Sequence, residues 1–231
     1  MTLKGKQVLE QADVVLYDNL VDSSVLSFVS DRAELVDVGK RSGNHVVPQD
    51  EINSLLVKYA LDGKRVVRLK GGDPFLFGRG GEEMQALQDY GIVVEVVPGV
   101  TSAIATPASA GIPLTHRMYA SSVTVVTGHE HPEKSKPSVD WKAIAAIKGT
   151  LIVLMGVSRL SENTEALMKA GKDPLTPCAL IERGTLPDMK VVVAPLKSIA
   201  EVAVEKDIKP PAVLVVGDVV KLRGDLGAPE V

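Results

Sequence analysis

The chain has 231 residues, of which 45% are hydrophobic and 24% charged, and its formal net charge is -3. This length suits one large α/β domain or two small ones, and the composition excludes bulk disorder. Aromatic residues make up only 3%, which argues against a base-stacking platform for nucleic acid. The slightly acidic balance argues against a generally basic nucleic-acid surface. The single cysteine, Cys178, excludes an internal disulfide framework and a multi-cysteine zinc site.

The apolar segments are too short to cross a membrane. The longest runs, at residues 151–155 and 191–194, have the length of a strand, whereas a membrane span needs about 20 residues. Residues 1–6 lack the apolar stretch of a signal peptide. We therefore expect a soluble protein of the reducing cytoplasm.

The first half alternates short apolar runs with helical patterns. The predicted strands are residues 14–17, 35–38, 65–69 and 92–97. The predicted helices are residues 48–61, 82–90 and 101–110. The clearest helix is 48–61, where Ile52, Leu55 and Leu56 recur at helical spacing with Tyr59. Strands alternating with helices predict βαβ units and a mostly parallel sheet.

Residues 111–117 interrupt this rhythm and predict a boundary between a domain at 1–114 and a domain at 115–231. The strands predicted beyond it are 122–127, 151–154, 179–182, 190–194 and 212–216, with helices near 141–147, 159–170 and 198–204. Residues 130–138 are predicted to form an exposed loop and residues 224–231 a frayed tail. The expected fold class is α/β.

Polar, glycine-rich segments follow the strands of the first half at their carboxyl ends. They are residues 17–18, 39–41, 70–74 and 98–102. Ligands of open α/β sheets bind at that edge, and glycine lets a ligand approach the backbone closely. Tight turns alone would explain one such segment. Four on one edge favour a binding site.

The familiar nucleotide and metal motifs are absent from the sequence. It has no P-loop, and Gly78-Arg79-Gly80 does not continue into a dinucleotide fingerprint because Glu83 occupies the third glycine position. The His129–His131 pair lacks the spacing and the third ligand of a zinc site. Cys178 follows a proline and precedes apolar residues, which predicts an inert buried thiol.

Basic residues gather at the predicted ligand edge and in the inter-domain segment. They are Lys40, Arg41, His45, Lys70, Arg79, His116 and Arg117. On an acidic chain, this local clustering favours a small polyanionic substrate, since arginine binds carboxylates in bidentate fashion. A solvated charged face is the alternative.

Longer signatures make the chain resemble the uroporphyrinogen III C-methyltransferase family, which belongs to the tetrapyrrole methylases. The matching segments are residues 17–21, 38–41, 66–80, 97–103, 111–117, 126–129, 155–156, 182–185 and 211–217. They keep the family's order and spacing over nearly the whole chain.

The resemblance implies a fold, a reaction and partners. The expected fold is two α/β domains of the tetrapyrrole methylase type, with a mostly parallel sheet in the first, a mixed sheet in the second and the active site in a cleft between them. The expected reaction transfers methyl groups from S-adenosylmethionine (SAM) to rings A and B of uroporphyrinogen III. It gives precorrin-2, the branch point towards sirohaem and cobalamin, with S-adenosylhomocysteine as by-product. A homodimer without metal, membrane or nucleic acid is expected. The eight carboxylates of that substrate would account for the basic cluster.

The resemblance also assigns roles to residues. Asp18 matches the proton acceptor and Lys40 the proton donor, although both could serve binding alone. The positions that match SAM contacts are Gly71, Gly72, Asp73, Leu76, Thr101, Ser102, Met155, Gly184 and Ala212. Met155 could instead belong to the core. From charge and loop position, the expected carboxylate binders are Arg41, His45, Arg79, His116 and Arg117.

The chain departs from the family pattern in three places. It opens inside the first helix, without the strand and the Gly-x-Gly-Pro-Gly-Asp loop that usually precede it, and we expect the native start to lie upstream. Ser109 and Met189 stand where tyrosine and glutamine are common. Two alternatives stay open: another tetrapyrrole methylase, such as a cobalt-precorrin methyltransferase or diphthine synthase, and a non-catalytic protein that binds SAM or tetrapyrrole.

Overall fold

A computed structural model describes residues 1–39, 47–129 and 138–226 of the chain. The chain divides into two compact units, Met1–Thr101 and Ser102–Val231. In the described ranges, no helix is both long and apolar enough to pass through a membrane.

The first unit contains a three-stranded sheet with helices between its strands. Its helices are α1 (Leu3–Glu10), α2 (Ser23–Leu26), α3 (Gln49–Leu61) and α4 (Gly80–Gln88), and its strands are β1 (Val14–Tyr17), β2 (Glu34–Asp37) and β3 (Val66–Leu69). The strand order is β2-β1-β3, and both pairs are parallel. The predicted parallel sheet is confirmed.

Helix α3 shows why the apolar spacing was informative. It begins directly after Pro48, whose fixed φ and missing N–H suit the start of a helix. Ile52 and Leu56 are buried, and Leu55 and Tyr59 are partly buried against the same apolar cluster. The helix therefore turns the predicted face towards the sheet.

The fourth predicted strand, at residues 92–97, is wrong. Its side chains do alternate: Ile92 and Val94 pack against the core, whereas Val93 is 97% exposed. A strand also needs a hydrogen-bonded neighbour. Among the described residues, β3 pairs with β1 alone and the 92–97 segment pairs with no strand. The segment thus has the alternating side chains of a strand but not the backbone hydrogen bonds to a neighbouring strand.

The second unit contains a mixed five-stranded sheet, as predicted. Its strands are β4 (Val123–Thr127), β5 (Thr150–Leu154), β6 (Pro177–Glu182), β7 (Lys190–Pro195) and β8 (Ala212–Val216). Its helices are α5 (Ser102–Ser109), α6 (Trp141–Ala146), α7 (Leu160–Lys169), α8 (Ile199–Glu205) and α9 (Leu222–Asp225). In the order β4-β5-β8-β6-β7, β4 and β5 are parallel and the other neighbours antiparallel. Residues 224 and 225 of the predicted tail belong to α9, and residues 227–231 lie outside the description, as does 130–137 of the predicted loop.

Both faces of the five-stranded sheet are buried. Neighbouring side chains of its central strands point to opposite sides and join two different apolar clusters. Leu151 and Val153 join one apolar cluster with side chains of α7 and α8. Ile152 joins the other, which includes Ala103 of α5. Residues 102–114 therefore pack with the second unit, whereas the sequence suggested a boundary at residue 114.

A matched pair of valines tests this account of the core. Val215 on β8 is fully buried, whereas Val193 on β7 is 51% exposed. We expect Val215→Ala to lower the free energy of unfolding by about 2 kcal/mol, because the change removes two buried methyl groups and leaves a cavity. Val193→Ala should change it by less than about 0.5 kcal/mol. Urea unfolding followed through the single tryptophan, Trp141 of α6, reports on this unit. Equal effects of the two changes would contradict the packing described.

Candidate active site

The carboxyl ends of the three parallel strands meet at one edge of the first sheet. Tyr17 of β1 lies beside Asp37 of β2 and Leu69 of β3 in the register. The segments that begin at Asp18, at residue 38 and at Lys70 therefore leave from the same edge. The first residues of three of the four predicted ligand segments are thus brought together by strand pairing. Lys40, Arg41 and His45 lie outside the described residues.

Backbone contacts pack these segments closely against one another. A Cβ at Gly71 would lie 2.6 Å from the carbonyl oxygen of Leu20, and a Cβ at Gly99 would lie 2.0 Å from that of Gly72. Only glycine permits such approaches. The fourth segment, at 98–102, therefore touches the loop that follows β3, and that loop touches the one that follows β1.

The carboxylate of Asp18 is held by both of its oxygens. Oδ1 accepts a hydrogen bond of 3.0 Å from the backbone N–H of Leu20, and Oδ2 accepts one of 2.8 Å from Nη2 of Arg68. The Asp18 side chain is 23% exposed. An oriented, partly accessible carboxylate is the arrangement that a general base requires.

Asp73 joins two of the loops. Its Oδ1 accepts from the backbone N–H of Phe75 at 2.9 Å, and its Oδ2 accepts from that of Gly99 at 3.1 Å. The sequence predicted Asp73 as a ligand contact, and the structure shows it bracing the loops beside Gly71 and Gly72. Leu76 is 36% exposed and follows this turn.

Backbone strain is concentrated in the predicted site segments. Five non-glycine residues there have positive φ: Phe77 (54°), Arg79 (57°), Met155 (54°), Arg183 (49°) and Thr185 (74°). Each such conformation costs about 1–3 kcal/mol and is commonly retained at functional sites. The strain supports a binding role for the loops after β3, β5 and β6.

Strand pairing also brings together the site residues predicted in the second unit. Strands β5 and β6 both run antiparallel to β8, and Glu182 at the end of β6 pairs with Ala212 at the start of β8. Met155, Gly184 and Ala212 therefore lie at one edge of this sheet. Met155 is 51% exposed and Ala212 is buried. Met155 is thus not a core residue, the alternative that its position after a buried strand had left open.

The two departures from the family pattern, Ser109 and Met189, contact each other. The Ser109 hydroxyl lies 3.4 Å from Sδ of Met189 and accepts a hydrogen bond of 3.2 Å from the backbone N–H of Thr185. The pair therefore supports the turn that contains Gly184.

The predicted basic residues within the described ranges, Lys70, Arg79, His116 and Arg117, do not all gather at one place in either unit. Arg79 is paired with Glu82 on the surface, Nη2 to Oε2 at 2.7 Å. His116 and Arg117 lie near the amino ends of β4 and β5, opposite the edge that carries Met155; Arg117 lines a hollow of about 250 Å³ with Lys148. Lys70 is enclosed and paired with Glu83, Nζ to Oε1 at 2.9 Å. Lys70 is therefore held by the protein itself.

Sequence reasoning missed Arg68, which binds Asp18, and Glu83, which binds Arg68. Arg68 lies inside β3, and the side chain of Glu83, on α4, is only 6% exposed. A charged residue within an otherwise apolar strand was the available signal, since buried charges need partners.

Other features of the described residues do not add to this site. No group of three or more His, Cys, Asp or Glu side chains within 1–39, 47–129 and 138–226 could hold a metal ion; Glu130 and His131 lie outside these ranges. An apolar hollow of about 500 Å³ is lined by residues such as Ile104, Ile112 and Leu226, and it contains none of the predicted site residues.

Comparison with known proteins identifies the family. The model of the family described as "Tetrapyrrole (Corrin/Porphyrin) Methylases" matches residues 1–200. The chain belongs to this family, and the predicted fold class is confirmed.

Individual relatives show which members of the family this chain is similar to. A protein of Methanosarcina barkeri named S-adenosyl-L-methionine-dependent uroporphyrinogen III methyltransferase is 52% identical over 98% of this chain and 89% of its own length. Siroheme synthase 1 of Pectobacterium atrosepticum is 50% identical over 96% of this chain, which spans 46% of that protein. The crystal structure of uroporphyrin-III C-methyltransferase from Thermus thermophilus, complexed with S-adenosylhomocysteine, has a TM-score of 0.80 and 41% identity. It covers 96% of this chain and 93% of its own.

Cys178 is buried, which confirms the predicted burial of this thiol; its inertness stays a prediction. Burial raises the pKa of the Cys178 thiol to about 12. We expect no reaction with a disulfide reagent at about pH 8 in the native protein, and rapid reaction in urea. Because the folded pKa is the higher one, the contribution to stability is complete below the ordinary thiol pKa and falls as pH rises towards 12. Rapid labelling of the native protein would contradict this.

Proposed function

We propose that this chain methylates uroporphyrinogen III at two ring carbons, on rings A and B, with SAM as donor, and so forms precorrin-2. The observation that carries the proposal is the oriented carboxylate of Asp18. Its loop packs against the Gly71–Asp73 turn through the contact between Leu20 and Gly71. The names of its relatives support the same reaction.

The loops of the first unit fit a cofactor that lacks phosphate. The turns at Gly71–Gly72 and Gly99 expose backbone beside the Asp73 carboxylate, and such a surface suits the hydroxyl and amine donors of SAM. When bound, SAM supplies an electrophilic methyl group on a sulfonium. We propose that Leu76, Thr101 and Ser102 complete this surface. For Met155, Gly184 and Ala212, which share one edge of the second sheet, a SAM contact is proposed from the resemblance alone.

Asp18 is the proposed proton acceptor. As the ring carbon gains its methyl group, the pyrrole nitrogen becomes acidic, and the proton that leaves it passes to the carboxylate. The two hydrogen bonds that fix Asp18 keep its position constant through that step. Lys40, which lies outside the described residues, is the proposed proton donor.

The substrate's carboxylates are the proposed partners of Arg79 and of Arg41 and His45, which lie outside the described residues. His116 and Arg117 are left out of this proposal because they lie at the edge of the second sheet opposite Met155. Arg79 supports this role because its present partner, Glu82, forms an ion pair that is more than half exposed. Such surface pairs contribute little stability. The guanidinium can therefore exchange Glu82 for a substrate carboxylate at little cost.

The proposal predicts a product of defined mass. Anaerobic incubation of the chain with SAM and uroporphyrinogen III should add two methyl groups, detected by mass spectrometry. Asp18→Asn should lower kcat by about 10²–10⁴-fold, since the general base is lost, while S-adenosylhomocysteine still binds.

The other outcomes point to the alternatives. No methylated product together with retained S-adenosylhomocysteine binding would contradict the proposal and favour a protein that binds without turnover. Methylation of a cobalt-precorrin, and not of uroporphyrinogen III, would assign a different activity within the family. Asp18→Asn with unchanged turnover would remove Asp18 from its role.

A pair of glycines tests the cofactor surface. Gly99→Ala should weaken S-adenosylhomocysteine binding more than tenfold, because its Cβ would lie 2.0 Å from the Gly72 carbonyl oxygen and force the two loops apart. Gly81→Ala is the matched control, since its Cβ would meet open space on α4. Calorimetric titration measures both. Equal affinities would show that these loops do not form the binding surface.

We also propose that the chain works as a homodimer in the cytoplasm, and that its product can enter sirohaem synthesis, cobalamin synthesis or both. The relatives named siroheme synthase support the first route. The buried free thiol fits a reducing compartment. Light scattering on the purified chain decides the oligomeric state.

A further inference from the structure

Arg68 uses its whole guanidinium to connect the ends of two strands with a helix. Nη2 donates to Oδ2 of Asp18 at 2.8 Å, and Nε donates to Oε1 of Glu83 at 3.2 Å. Nη1 donates to the carbonyl oxygens of Leu69 at 2.7 Å and Leu16 at 3.5 Å. The planar fork allows no rotation that keeps all four contacts, so its orientation is set.

Glu83 anchors this arrangement from the first turn of α4. A single oxygen, Oε1, accepts from Nε of Arg68, from Nζ of Lys70 at 2.9 Å and from Nε2 of Gln49 at 3.1 Å. The N-terminal turn of a helix favours a negative charge. Glu83 is therefore a fixed point to which both cations of β3 and its loop are bound.

The exposure of the four charged side chains is graded. Glu83 is 6% exposed, Lys70 9%, Arg68 12% and Asp18 23%. Burial lowers the pKa of the Lys70 ammonium and the nearby charge of Arg68 lowers it further, while the hydrogen bond to Glu83 opposes both. The cluster thus encloses its other charges and leaves Asp18 as the most accessible member.

We propose that Arg68 is a positioning residue that holds the Asp18 carboxylate for proton transfer, and that Glu83 fixes Arg68 for that task. This inference rests on the proposed function, in which Asp18 accepts the proton. Arg68 does not touch the reacting atoms in this scheme. Its effect on the reaction is exerted through the place and angle of the Asp18 carboxylate.

Steady-state kinetics of Arg68→Ala test the proposal. We expect kcat to fall about a hundredfold, as for a misplaced catalytic group, with KM and the S-adenosylhomocysteine Kd changed less than about threefold. Added guanidinium should restore part of the lost kcat, and Arg68→Lys should retain more activity than Arg68→Ala. Glu83→Gln, which keeps an acceptor oxygen, should lose less than Arg68→Ala.

The matched control is Arg65→Ala, at the amino end of the same strand segment. Arg65 forms an exposed pair with Asp13, Nε to Oδ2 at 3.6 Å, with side chains 69% and 40% exposed. It should keep wild-type kcat. The proposal is overturned if Arg68→Ala keeps as much kcat as Arg65→Ala. The proposal is also overturned if Arg68→Ala loses activity only in proportion to its loss of cofactor binding and thermal stability, and if added guanidinium restores none of it.

A crystal structure of Arg68→Ala separates this inference from the proposed function. We expect the Asp18 side chain to leave its wild-type position. An unchanged Asp18 overturns the positioning role whether or not the wild-type chain methylates uroporphyrinogen III. Conversely, an active wild type with an inactive Asp18→Asn and a fully active Arg68→Ala would leave the proposed function standing and remove only Arg68.

Discussion

The structure of the first unit depends on the ion pairs of the Arg68 guanidinium, which lies within its parallel sheet. Arg68 stands on β3 beside β1, where an apolar residue would ordinarily be expected, and an unpaired charge there would be costly. Asp18 and Glu83 supply its two carboxylate partners from the end of β1 and the start of α4. The ion pair that stabilises the Arg68 charge also fixes the position of Asp18, the proposed proton acceptor.

Around this cluster, the loops are shaped by how closely their backbones approach. The turn after β3 touches both the turn after β1 and the segment at 98–102, and Asp73 bridges the last contact with two backbone hydrogen bonds. Glycines at the points of contact leave peptide groups rather than side chains at the surface. A cofactor with hydroxyl and amine groups but no phosphate suits such a surface.

In the second unit, a mixed sheet likewise brings distant segments together at one edge. Strand β8 lies between β5 and β6 and runs against both. Residues that are far apart in the chain therefore meet at one edge, and the backbone there is strained at Met155, Arg183 and Thr185. Ser109 and Met189 support the turn after β6 through a contact with each other, so these two departures from the family pattern act at a single place.

The sequence by itself determined the positions of most helices and strands, because apolar spacing reflects which face of an element is buried. It also determined the family, through long signatures on the loops. Tertiary structure alone decided that residues 92–97 lack a ladder, that Glu83 holds Arg68 and Lys70, and that Ser109 meets Met189. Local patterns record burial, whereas hydrogen bonds and ion pairs depend on partners brought near by strand register and helix packing, which no single segment specifies.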